Sequence, residues 1–205
     1  MQDNSLVPPA PARRIPLDVV VQSGLMIALL AVSAQIVIPF GPIPFTLQTL
    51  VVVLISLIFT PGQAALTMIL YIVLGALGLP FFSGLGAGLA KLAGPTGGYL
   101  YGFIASVIVG SLLRRALCKP RDRLAAPKRA LAADICAAVV AIAICYAVGT
   151  MHFMTIGMLS ENPYGLAYVL GVCVVPFIIP DIAKCAAAIL VAQALHKAIP
   201  AVVSR

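Results

Sequence analysis

Long apolar runs, broken at Pro, Gly and charged residues, dominate the chain. Runs of about 20 residues predict membrane-crossing helices. Span 1 is predicted at 18–38, where Pro39, Gly41, Pro42 and Pro44 stop it. Spans 2 and 3 are predicted at 45–60, short and stopped by Pro61-Gly62, and at 63–79, stopped at Pro80. Spans 4 and 5 follow at 96–117 and 130–151, with Glu161, Asn162 and Pro163 marking a loop beyond them. The apolar stretch 164–199 is too long for one span, and Pro176 and Pro180 divide it. Because Pro suits a helix's first turn, a short helix at 164–174 followed by span 6 from about Pro176–Asp181 to Leu195 is preferred over one kinked helix. The expected fold class is therefore an all-α polytopic membrane protein with six transmembrane helices. Residues 1–15 are expected to be a disordered polar tail, 16–199 a single six-helix membrane domain, and 200–205 a short C-terminal tail.

Composition strengthens this picture. Of 205 residues 62% are hydrophobic and 9% charged, and the mean hydropathy is +1.12. A soluble domain is roughly 45–50% apolar and about 25% charged. Those values exclude a disordered protein, a nucleic-acid-binding domain and an ordinary cytosolic enzyme. The net charge of +7 acquires meaning from its placement. Of 13 Lys and Arg, 11 fall in three places: Arg13 and Arg14, seven between Arg114 and Arg129, and Lys197 with Arg205. With six spans and a cytoplasmic N-terminus all 11 lie inside, as the positive-inside rule asks. Both termini are thus expected to be cytoplasmic. The connections 39–44, 80–95 and 152–163 then face outward. The second of them is Gly-rich and apolar, and irregular backbone near a membrane must be buried in protein or line a cavity. A ligand pocket is therefore expected near the outer face.

The candidate chemistry is sparse. Asp181 and Lys184 stand three apart in IIPDIAKC and share a helix face. Each would cost about 2.5–3.5 kcal/mol at the bilayer centre, so they are either a structural ion pair or the polar part of a binding pocket. A carboxylate accepts two hydrogen bonds from a urea- or amide-like group, and an ammonium pairs with a ligand carboxylate or holds the Asp. Thr46 and Gln48, at the start of span 2, are either ligand-facing or taken up in capping and core bonding; on the second reading Thr49 bonds back to a helix carbonyl. In GPTGGYLYGF, Tyr99 lies at interface depth, as do Phe82 and its neighbour Phe81; each lines a pocket or belongs to an aromatic belt. Lys91 attracts an anionic ligand or faces water. Gly24, Ala28, Ala31 and Ala34 form a small-residue stripe on span 1, suited to close helix packing inside the bundle or to docking of another membrane protein. His152 and His196 show no partner pattern and are read as interfacial. The five cysteines lack metal-ligand spacing and read as small apolar residues. No P-loop, zincin or other catalytic constellation occurs, so neither an enzyme nor a metal or cofactor is expected. The chain reads as a binding and translocation subunit. A purely structural assembly subunit is disfavoured by the Asp and Lys at the mouth of a span.

Three stretches in this order, IPFTLQTLVVVL (43–54), LYIVLGALGLPFFSG (70–84) leading to GPTGGYLYGF (94–103), and VVPFIIPDIAK (174–184), resemble the BioY family, the biotin-capturing S component of energy-coupling-factor transporters. The chain departs from the family pattern at Ile179, where a Pro-Gly-Asp type of turn is expected. The resemblance implies a six-helix bundle in the plasma (inner) membrane with biotin bound near the outer surface. It implies a membrane coupling (T) subunit and two cytosolic ATPase subunits as partners, and no nucleic acid. It points to Asp181, Lys184, Thr46, Gln48 and Tyr99 as pocket residues, with the span 1 stripe as the docking face for the coupling subunit. The runner-up is a self-sufficient secondary carrier for biotin or a related vitamin.

Overall fold

The computed structural model describes residues 16–39, 41, 43–159 and 164–198. The predicted tails at 1–15 and 200–205, Pro42, and the loop residues Glu161, Asn162 and Pro163 lie outside the described residues. Among the described residues eight α-helices follow in order: α1 (Leu17–Ser33), α2 (Gln48–Ile58), α3 (Pro61–Ala76), α4 (Leu89–Ala93), α5 (Gly97–Leu117), α6 (Pro127–Met158), α7 (Leu166–Cys173) and α8 (Ile178–Ala198). Strands β1 (Val37–Ile38) and β2 (Phe45–Thr46) pair antiparallel between α1 and α2, with Val37 opposite Thr46 and Ile38 opposite Phe45. Among the described residues three stretches are long and apolar enough to cross a membrane: Gly97–Leu117, Pro127–Met158 and Leu166–Ala198. Helices α1, α2 and α3 are apolar but shorter.

Several boundaries differ from the sequence expectation. α1 stops at Ser33 rather than 38. Pro39 disfavours helical geometry at the residue before it, and β-branched Ile36–Ile38 suit an extended strand. The 80–95 connection contains the helical turn α4, and α6 continues seven residues past the predicted end, to Met158. Thr60 caps α3, its hydroxyl accepting from the Gln63 N–H at 3.2 Å, with Pro61 in the first position. Near the C-terminus, Val174 leaves the helical region (φ −127°, ψ −57°), a 3-10 turn spans Val175–Phe177, and Pro180 falls in the first turn of α8. That is the divided arrangement the two prolines suggest.

α2 is the hub. It packs against α1, α3, α5, α6 and α8, and nine of its 11 residues are buried. A helix apolar on all sides belongs inside its protein. α5 and α6 form the tightest pair, with Gly102, Gly110, Ala137 and Ala141 among their buried residues. Small residues let backbones approach, and the Ser106 hydroxyl donates to the Ala141 carbonyl at 2.7 Å. The starts of α5 and α8 and the end of α3 meet at one end of the bundle. The end of α5, the start of α6 and the end of α8 gather Arg114, Arg123, Lys128 and Lys197 at the other.

Candidate functional site

A cavity opens at the end where α5 and α8 begin. Its empty space, open mouth included, is about 670 Å³. Seven residues singled out from the sequence line it, Asp181, Lys184, Thr46, Gln48, Tyr99, Phe82 and Lys91, while Phe81 does not. They arrive from β2, α2, the α3–α4 connection, α4, α5 and α8, so only the folded bundle brings them together.

The polar floor is a closed network. Asp181 and Lys184 are 3% and 5% exposed. Lys184 Nζ donates to Asp181 Oδ1 (2.8 Å), to Thr49 Oγ1 (2.9 Å) and to the Thr46 carbonyl (2.7 Å). It also lies 3.7 Å from the centroid of the Phe45 ring, a cation–π contact. Thr49 donates to Asp181 Oδ1 (2.9 Å) and Tyr146 to Oδ2 (2.5 Å). The structural ion pair and the polar pocket are thus the same object. A carboxylate has about four lone-pair sites, and these three donors leave one on Oδ2. Gln48 continues the network: Thr46 Oγ1 donates to its Oε1 (3.2 Å), and its Nε2 donates to the Tyr71 hydroxyl (2.7 Å). Tyr71 in turn donates to the Phe81 carbonyl (2.6 Å). One N–H of the Gln48 amide remains.

The walls are aromatic and apolar. Phe82 is 1% exposed and meets Tyr71 edge-on at 5.9 Å, while Phe81 stacks on the same ring. Gly75 makes room for Phe82, since a Cβ there would lie 2.3 Å from the ring. Tyr99 donates to the Cys173 carbonyl at 3.1 Å, and its ring lies over Gly149, where a Cβ would come within 2.6 Å. Phe177 stacks on Phe45 at 6.4 Å between ring centres. Lys91 is half-buried on α4 at the rim. Among the described residues neither a hydrogen-bonding partner nor a carboxylate faces it, in contrast to Lys184.

Thr49 departs from the back-bonding reading, since its hydroxyl goes to Asp181. Tyr146, Phe45 and Phe177 also line or buttress the site and were not legible in advance. Tyr146 sits in the apolar run IAICYAVGT, 35 residues before Asp181, and only its being a lone phenol in that run marks it. His152 is tied to the Gly94 carbonyl at 3.1 Å and His196 to Arg114 at 3.1 Å, so both have partners. Along α1, Gly24 and Ala28 are exposed, Ala31 is half-buried against the core, and Ala34 is fully buried just past the helix end. The outward stripe is therefore Gly24 and Ala28. No group of three or more metal-ligating side chains occurs among the described residues.

Comparison with known proteins gives a consistent answer. The model of the BioY family matches residues 7–201. A probable biotin transporter from Pyrococcus horikoshii is 35% identical over 173 residues, covering 84% of this chain and 92% of that protein. A biotin transporter from Thermotoga maritima is 34% identical over 177 residues, covering 86% and 95%. A crystal structure of the S-component for biotin from an ECF-type ABC transporter aligns with a TM-score of 0.73 at 19% identity, over 87% of this chain and 90% of that one. At that identity the likeness is one of fold.

Proposed function

The chain belongs to the BioY family, a family of multi-pass membrane transporters and not of enzymes, and on that premise we propose that it captures biotin in the cavity described above. The observation that carries this reading is the Asp181 carboxylate, fixed by Thr49, Tyr146 and Lys184 inside an apolar enclosure with one acceptor site to spare. Biotin presents a urea with two N–H donors and one carbonyl, an apolar sulfur ring and a carboxylate tail. Asp181 Oδ2 accepts from the urea, the remaining Gln48 N–H serves its carbonyl, and Phe82 and Tyr99 cover the bicycle. Lys91, which faces no carboxylate among the described residues, takes the tail carboxylate. Lys184 is an orienting residue, because all three of its donors are engaged.

The wider reading follows the same premise. Six spans, α1, α2, α3, α5, α6 and α7–α8 together, cross the inner membrane with both termini in the cytoplasm and the cavity toward the outer face. The basic cluster at the opposite end supports that orientation. Energy comes from a membrane coupling (T) subunit and two cytosolic ATPases, as the name of the structural relative suggests. The exposed small residues Gly24 and Ala28 suit a docking helix.

Equilibrium binding of labelled biotin to the purified chain tests the ligand, with unlabelled biotin, thiamine and riboflavin as competitors. Saturable binding displaced by biotin alone is expected; displacement by all three would sink the assignment. Asp181→Asn should weaken binding by more than about tenfold, the scale of losing a charged acceptor. Lys91→Gln should weaken biotin binding while leaving that of biotin methyl ester nearly unchanged. Uptake that persists with an inactive ATPase pair and collapses with an uncoupler would instead identify a self-sufficient carrier.

A further inference from the structure

The basic end of the bundle holds a second arrangement that ligand capture does not use. Arg114, in the last turn of α5, is 1% exposed, and its Nε and Nη2 have no partner. Its Nη1 donates to His196 Nε2, which is left as an acceptor because Nδ1 donates to the Ala192 carbonyl. Arg123 is 6% exposed; its Nη2 pairs with Asp134 Oδ2 and its Nη1 has no partner. A buried donor without an acceptor costs about 1–3 kcal/mol, more when charged. Two buried guanidinium groups with spare donors at one end of a bundle point to an anion.

Arg123 and His196 also line a cleft between the α5–α6 turn, the start of α6 and the end of α8. Lys128, Gln193 and Lys197 extend its polar wall. α6 begins there with no side chain capping its first-turn N–H groups, and such a helix start favours anions. Among the described residues no carboxylate lines the cleft: Asp134 lies behind Arg123, its Oδ2 paired with that guanidinium and its Oδ1 without a partner, and Asp122 is exposed and does not line it. Beside the cations, Leu124 and Leu131 are 68% and 40% exposed.

We propose that this cleft is a binding site for the phosphate of an anionic phospholipid. Lys128 and Lys197 hold the phosphate at the mouth, and Arg123 Nη1 meets it from behind. The two leucines take the adjoining glycerol and acyl carbons. A free phosphate would satisfy the cations equally, but the apolar flank and the position at the end of membrane-length helices favour a lipid. Basic pockets between transmembrane helices are suited to such headgroups.

The test is native mass spectrometry of the chain purified in detergent with equal amounts of phosphatidylglycerol and phosphatidylcholine. The wild type should retain phosphatidylglycerol selectively. The Lys128→Gln/Lys197→Gln double variant should lose that retention by roughly tenfold or more. Both lysines are solvent-accessible, so folding is preserved. Lys119→Gln, which removes an exposed charge from the same end but outside the cleft, should retain the lipid as the wild type does. Equal retention of the two lipids, or equal loss in the control and the double variant, would overturn the proposal. So would displacement of the lipid by millimolar inorganic phosphate that by itself raises the melting temperature, which would identify a free-anion site.

Discussion

Lys184 is held on four sides, by a carboxylate, a hydroxyl, a backbone carbonyl and the face of Phe45. Removing it leaves Asp181 buried without its cation, and breaking a buried pair costs about 3–5 kcal/mol. Lys184→Met is therefore expected to lower the melting temperature and to weaken biotin and biotin methyl ester by the same factor. A selective loss of biotin would reassign the tail carboxylate from Lys91 to Lys184. Tyr146→Phe removes one donor from Asp181 Oδ2 without changing the packing, and should weaken biotin about tenfold, as loss of a hydrogen bond to a charged group does. The pair at 181 and 184 was readable because two ionisable residues three apart in an apolar helix have few innocent explanations. Thr49 and Tyr146 were not, since their partner lies 132 and 35 residues away and nothing local separates a pocket phenol from a packing one.

Among the elements, the apolar runs located every long helix, because run length and breakers are local properties. Their ends were less legible. The α1 boundary depended on strand pairing between Val37–Ile38 and Phe45–Thr46, a contact no span-length argument contains. The extension of α6 to Met158 depended on Phe153 and Gly157 finding buried places against neighbouring elements; Phe153 stacks on Tyr164 at 5.6 Å. The connection between α3 and α5 was correctly expected to be more than a linker. Its Phe82 is seated by α3 itself, so Gly75→Ala is expected to push the ring into the cavity. The readout is biotin affinity together with melting temperature; a fall in affinity of about tenfold or more, with a melting shift of only a few degrees, would mark a displaced wall rather than a broken core. Wild-type affinity would show that Phe82 does not border the ligand.

For the whole molecule, the proposed ligand site and the proposed docking face are separable. Gly24 is exposed, and a side chain there would meet nothing within 4 Å. Gly24→Leu should therefore leave biotin binding intact in the isolated chain while cutting cellular uptake by about tenfold or more, through the proposed docking face. Equal loss of binding and uptake would place the defect in the fold. α2 is short for a membrane-crossing helix. Its 11 residues rise only about 16 Å, against about 30 Å of hydrocarbon, and Gln48 and Thr49 in its first turn form the cavity floor. With the cavity facing outward as proposed, a ligand resting on that floor has already passed through part of the membrane's insulating depth. In the proposed pose, with the neutral ring inward and the anionic tail held by Lys91 at the rim, bound biotin would carry almost no charge through the transmembrane field. On that proposal capture is electrically silent, and the work against the membrane voltage falls on release.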